Sequence, residues 1–287
     1  MKYPLKVAAF AATCLLMSVL YSCSKDDNNT DNPSNTPKSN IKVASNATFG
    51  KIITDSLGNT LYFFSLDANG SSACTSGDCL AAWPVFYEDN LRLDTALKAA
   101  DFATITRADG AKQTTYKGWP LYYYSPDAAA GDVKGDAVGN VWYVAKPDYT
   151  VMLAYQQLTG NDGIQYKGDY TPGAEVTPFI TDPYGRTLYA FSNDKSNKNM
   201  YTKEDLSNEG IWPIYPVSAV VNVPSTLVKT DFTTAPIWTR VQITYKGWPL
   251  YYFGADAQTR GNTKGVSVPR PGVWPVVNNN STAAPLP

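Results

Sequence analysis

No histidine occurs anywhere in the 287 residues. That absence removes the commonest general base, the commonest metal ligand and the usual partner of a serine or cysteine nucleophile. Histidine-ligated haem, zinc and copper sites are excluded as usually built, so no cofactor is expected. Only carboxylate chemistry is left to an enzyme, and nothing in the sequence sets two acids across a cleft as glycoside hydrolysis requires. The chain is read as non-catalytic. Excess charge is lacking too: 24 Lys and Arg stand against 25 Asp and Glu, giving a formal net charge of −1. No basic run offers an electrostatic footprint for nucleic acid, which is not expected as a partner.

Cysteine is scarce as well, at four residues, and position separates them. Lys2 and Lys6 precede an apolar run over residues 7–20, which ends in Leu20-Tyr21-Ser22-Cys23. A run of roughly 14 residues is too short for a permanent membrane span. It predicts a lipoprotein signal peptide over 1–22, cleavage before Cys23 and a lipid anchor on Cys23. Ser24-Lys25-Asp26-Asp27 resembles the Lys-acidic-acidic signal that sends Gram-negative lipoproteins to the outer face of the outer membrane, the expected location. Cys14 leaves with the signal, so Cys74 and Cys79 remain. In an oxidising compartment two cysteines five apart, around Gly77, read as a disulfide staple, with a redox-active pair as the alternative.

Residues 23–43 are dominated by Ser, Asn, Asp, Thr and Pro and read as a tether, because they bring too little apolar surface to offset ordering entropy. Beyond it the chain repeats itself. Gly-x-x-Leu-Tyr-x-aromatic-x-x-Asp occurs at Gly58 to Asp67, Gly118 to Asp127, Gly185 to Asp194 and Gly247 to Asp256. Trp83, Trp142, Trp212 and Trp274 follow the successive copies. Copies one and three share a later Trp-Pro; copies two and four share Thr-Tyr-Lys-Gly-Trp-Pro-Leu-Tyr-Tyr. The larger unit is therefore a pair of copies used twice, predicting domains over 44–148 and 174–280, a linker over 149–173 and a tail over 281–287.

Tyr- and Thr-rich runs broken by Gly and Pro predict strands, with hairpins about Ser56-Leu57-Gly58-Asn59 and Asp109-Gly110 and helix only near 95–101. Along the first motif Leu61 and Phe63 face one way, Tyr62 and Phe64 the other, so both faces carry apolar groups. The fold class is all-β: two tandem small sandwich- or barrel-like domains, each of two half-repeats, with a four-bladed propeller as the alternative.

Thr60-Leu61-Tyr62-Phe63-Phe64-Ser65-Leu66-Asp67, the Cys74 to Cys79 loop, Trp83-Pro84, Thr115-Tyr116-Lys117-Gly118-Trp119-Pro120-Leu121-Tyr122, Asp127 and Val141-Trp142-Tyr143-Val144 together carry a resemblance. The chain resembles the bacterial lipoprotein family with a secreted repeat of unknown function. The resemblance covers most of 48–147 and recurs more loosely over 176–277. Smaller members consist of one pair of copies, which implies that each pair folds alone. Two departures stand out: the second pair has residues 200–208 where the first has its cysteine loop, and Tyr143 stands where members often carry histidine.

The recurring aspartates read as turn closers that accept backbone N–H groups, since the spacing after Asp67 fails for a calcium loop. Trp119 and Trp248 each lie in a Lys-Gly-Trp-Pro turn, where a large ring has no evident packing duty. With Tyr123 and Tyr252 on the same strand faces, they are read as equivalent contact platforms for a glycan or an outer-membrane protein. The reading is a surface-exposed lipoprotein that works as a binding or accessory module. A structural or adhesive protein and a disulfide-based redox protein are its rivals.

Overall fold

The chain reverses where glycine follows aspartate. Gly58 (φ 91°) and Gly185 (φ 82°) take the left-handed conformation. Asp55 closes the first turn by accepting the N–H groups of Leu57 and Asn59, and Asp182 closes the second by accepting those of Tyr184 and Arg186. The computed structural model describes residues 39–287. The signal peptide, Cys23 and residues 24–38 of the tether lie outside the described residues.

In the first half, β1 (Ile41–Asn46) pairs antiparallel with β2 (Gly50–Asp55). Next come β3 (Tyr62–Phe64), α1 (Gly77–Ala82), β4 (Phe102–Thr106), β5 (Lys112–Tyr116), β6 (Trp119–Tyr122) and β7 (Trp142–Val144). One five-stranded sheet runs in the order β4-β5-β6-β3-β7. The motif strands β3 and β6 are thus neighbours, Tyr62 opposite Tyr122. Two copies share one sheet, which rules out a propeller with one blade per copy.

The second half holds β8 (Met152–Thr159), β9 (Gln165–Tyr166), β10 (Val176–Thr181), β11 (Phe232–Ile237), β12 (Arg240–Tyr245) and β13 (Trp248–Pro249). Sheets of order β10-β8-β9 and β11-β12-β13 form, and none of the four antiparallel sheets closes into a barrel among the described residues. The five-strand order of the first half survives as single bridges, Tyr189 to Tyr251 and Tyr189 to Val276. β8 and β10 take the places of β1 and β2. The stretch read as a linker is therefore part of the second half, because Val151, Met152, Leu153 and Ala154 are an apolar run that is buried. For the same reason β1 begins at Ile41, inside the stretch read as tether. The tail is also ordered against the fold: Ala284 N donates to Lys246 O and Pro285 O accepts from Ser196 N.

Both faces of β3 are covered, as the alternation predicts. Leu61 and Phe63 lie in two apolar clusters, while Tyr62 and Phe64 lie in a third. In the first half four rings stack in the order Phe64, Trp142, Trp83, Tyr124; in the second Phe191, Trp274 and Trp212 stack in the same order and Phe253 tilts against Trp212 at 4.4 Å. The inner tryptophans are 3.8 and 3.7 Å apart by centroid. These stacks explain why each copy is followed by tryptophan: one copy's Trp interleaves with its sister's. The largest cluster joins the halves, running from Leu153, Phe179 and Leu188 to Phe63, Trp119 and Tyr143. All described residues belong to one compact unit.

Helix appears where it was not expected. Residues 95–101 supply only a 3-10 turn over Ala99–Asp101, whereas α1 sits inside the cysteine loop, with Ser76 Oγ accepting from Cys79 N. The Cys74–Cys79 disulfide closes that loop at a Cα separation of 5.6 Å. Arg107 holds the same loop through Cys74 O and Ser72 Oγ. Replacing both cysteines by serine is therefore expected to leave the fold intact and cost about 2 kcal/mol, the loop-entropy value for so short a ring. Urea unfolding of wild type and variant measures it; loss of folding would show that the staple does more than constrain the unfolded chain.

Candidate functional site

Each motif tyrosine pairs with the aspartate of its sister copy. Tyr62 OH donates to Asp127 at 2.6 Å and Tyr122 OH to Asp67 at 2.7 Å. In the second half Tyr189 OH donates to Asp256 at 2.6 Å and Tyr251 OH to Asp194 at 2.9 Å. The other carboxylate oxygen accepts a backbone N–H, from Ala73, Lys134, Lys264 and Met200 respectively for Asp67, Asp127, Asp256 and Asp194. The motif thus joins two copies through a reciprocal exchange rather than marking four separate sites. Burial pushes the carboxyls of Asp67 and Asp194 up to about 7 and that of Asp256 up to about 6, against hydrogen bonds that favour the ionised form. Burial and then the nearby carboxylate hold Tyr122, Tyr189 and Tyr251 well above the usual phenol range, so they remain donors.

Beside each exchange lies a cleft built from equivalent positions. The first, of about 270 Å³, is lined by Thr60, Pro84, Tyr123, Tyr124 and Asp127; the second, of about 520 Å³, by Thr187, Pro213, Tyr252, Phe253 and Asp256. Tyr123 OH donates to Asp55 at 3.2 Å and Tyr252 OH to Asp182 at 3.0 Å. The turn-closing aspartates therefore also fix a tyrosine ring in each wall. The clefts differ at one edge. Asn59 bonds Asp55 at 2.8 Å in the first, whereas in the second Arg186 ion-pairs with Asp182 and lies 4.8 Å over the Tyr252 ring. The second cleft thus offers a cationic rim to a ligand and the first does not.

Of the four expected contact residues, Tyr123 and Tyr252 line these clefts, and the two tryptophans do not join them. Trp119 is only 1% exposed. Its Nε1 donates to Pro183 O at 3.1 Å, and the Arg260 guanidinium lies 4.5 Å over its ring. The outward platform expected at Trp119 is corrected to a junction between the halves, because the second half packs onto it. Trp248 is half-buried, with Nε1 donating to Thr282 O at 2.8 Å. Tyr143 is also at the junction and shares a 2.6 Å hydrogen bond with Thr226.

Arg260 escaped the sequence reading. Its Nε donates to Ala68 O at 2.9 Å, Nη1 to Lys117 O at 3.3 Å and Nη2 to Asp67 O at 3.4 Å. A residue from the second half thus satisfies carbonyls of the first. Gly118 takes the left-handed conformation that favours glycine (φ 78°), and a β-carbon there would also push the Arg260 guanidinium aside. The available signal was a difference between copies: Arg260-Gly261 stands where the first half has Ala130-Gly131. Cys74 is buried and its disulfide lies under the Arg107 contacts. Among the described residues no three Cys, Asp or Glu side chains converge as a metal site would need.

A family model described as a secreted repeat of unknown function, a lipoprotein family, matches residues 43–87, 103–146 and 240–278. The remaining copy, about Gly185 to Asp194, lies outside the matched residues, yet its Tyr189 and Asp194 make the same exchange as their counterparts. No curated protein and no solved structure matches the chain. No helix among the described residues is long and apolar enough to cross a membrane.

Proposed function

We propose that this chain, which carries a secreted repeat of unknown function at three matched places, is a binding and accessory module anchored in the outer membrane through lipid on Cys23. The observation that carries the reading is the cleft built twice, with Tyr123 and Tyr252 held by equivalent aspartates at equivalent positions. Duplicated clefts on one body allow two weak contacts to act as one stronger one, since the second forms at high effective concentration. The module's partner is then an outer-membrane protein or a surface glycan.

Crosslinking and affinity recovery of the acylated protein from native outer membranes, followed by mass spectrometry, tests this reading. A stoichiometric partner is expected, recovered about tenfold less by the Tyr123→Ala/Tyr252→Ala variant, whose circular dichroism stays that of the parent. Recovery of the protein alone would dismiss the accessory role. Cys23→Ala is expected to move the chain from the membrane to the soluble fraction, and membrane retention would dismiss the anchor.

A further inference from the structure

The Lys-Gly-Trp-Pro turn is built twice and meets two different surroundings. At Trp119 the second half seals it: Pro183 and Arg260 cover the indole, and only about 10 Å³ of space is left. At Trp248 the residues after Val277 run past the same face. Trp248 Nε1 donates to Thr282 O at 2.8 Å, while Lys246 Nζ donates to the carbonyls of Asn279 and Ser281, both at 2.9 Å. These contacts hold the indole by its edge and leave a cleft of about 370 Å³ beside it. That volume lies within the roughly 300–1,000 Å³ range of small-molecule sites.

The lining of this cleft has a consistent chemistry. Tyr170 and Trp248 supply rings, while Glu175, Thr177, Asn280 and Thr282 supply polar groups, and no lysine or arginine stands among the described lining residues. Glu175 uses one carboxylate oxygen on Gly168 N–H at 2.7 Å. Thr177 gives a second, independent observation: it is 3% exposed and its hydroxyl has no hydrogen-bond partner among the described residues. Folded proteins leave few such groups; this hydroxyl lies beneath the surface of the cleft wall, where a ligand reaches it only if the wall shifts.

We propose that the Trp248 cleft is a binding site for a neutral saccharide. A pyranose presents a flat C–H face to the negative face of an indole, and its hydroxyls both donate and accept around the rim. Glu175 accepts from such hydroxyls, and Asn280 serves either way. Glu175 is the one charged side chain among the described lining residues, and the Lys246 ammonium behind the rim is engaged by the Asn279 and Ser281 carbonyls, which disfavours an acidic sugar and suits a neutral one. The site is distinct from the tyrosine clefts and stands or falls without them.

The test titrates the full chain with neutral trisaccharides (cellotriose, maltotriose and chitotriose) and with trigalacturonate as the charged counterpart, followed by calorimetry and tryptophan fluorescence. At least one neutral trimer is expected to bind saturably, with trigalacturonate roughly tenfold weaker or more. Trp248→Ala abolishes the binding, and Trp248→Phe retains part of it while preserving the packing. Absence of binding by every neutral trimer at its solubility limit overturns the assignment. So does binding that survives unchanged in both Trp248 variants, which would locate the sugar elsewhere.

Discussion

Replacing Arg260 by alanine is expected to cost about 3–5 kcal/mol, since hydrogen bonds to a charged donor contribute about 1.5–3 kcal/mol and buried acceptors left unpaired add their own desolvation penalty. The carbonyls of Ala68 and Lys117 lose their donor at once, that of Asp67 keeps only the Gly70 N–H, and Trp119 loses the cation over its ring. Burial lowers the Arg260 guanidinium only to about 10, so it is charged at neutral pH and every one of these contacts is charge-assisted. Lysine cannot restore them, because a point charge on a flexible stem neither forks to three acceptors nor stacks flat on an indole. Arg260→Lys should therefore recover less than half of the loss. Urea unfolding followed by tryptophan fluorescence measures both variants, and Arg260→Ala is also expected to split one cooperative transition into two as the halves uncouple. A loss below about 1 kcal/mol, ordinary for a surface substitution, would show that the junction does not depend on this residue.

Raising the pH from 4 to 8 is expected to weaken the fold through Asp67, Asp194 and Asp256. Burial places their folded values at about 7, about 7 and about 6, above the 3.8 of an exposed aspartate. Between those limits the folded state holds more protons than the unfolded one, so the free energy of unfolding falls as pH rises. The stability tied to these groups is complete below pH 4 and is lost by pH 7 to 8. One unit corresponds to about 1.4 kcal/mol, so the three together contribute several kcal/mol. Exposed carboxyls such as Asp109, Asp132 and Asp205, which hydrogen bonds hold below the usual range, act in the opposite sense. A comparison that removes two of these titrations is Asp67→Asn/Asp194→Asn, in which the amide, like the protonated acid, carries no charge, although its NH2 cannot accept as a carboxyl oxygen does. Relative to wild type this variant should gain stability steadily from pH 4 to pH 8. A constant difference across that range would show that the buried carboxyls are already ionised when folded.

The spacing of Gly, Leu, Tyr and Asp and the tryptophans that follow were enough to read an all-β chain of paired copies. Alternation placed Leu61, Tyr62 and Phe63 all inside, and turn chemistry placed the reversals at Gly58 and Gly110, where they occur. The same local rules left β8 unread. An apolar run of Val151, Met152, Leu153 and Ala154 is short, and the Gly- and Asp-rich residues after it hid a strand that pairs across a long insertion.

The candidate sites divide along the same line. Tyr123 and Tyr252 were legible because each repeats at a fixed offset within its copy, and both reach a cleft. Trp119 and Trp248 share one local sequence, so nothing local to it distinguishes the ring sealed in the junction from the ring left beside an open cleft. Sequence by itself determined the repeat, its pairing and its strand character, because these follow from side-chain period and turn residues within a few positions of each other. Only the tertiary structure decided which tyrosine answers which aspartate, that Arg260 clasps the first half, and which tryptophan faces outward. Those outcomes depend on what packs against a given face, and the packing partner lies 64 residues from Trp119 at Pro183 and up to 193 from Arg260 at Asp67.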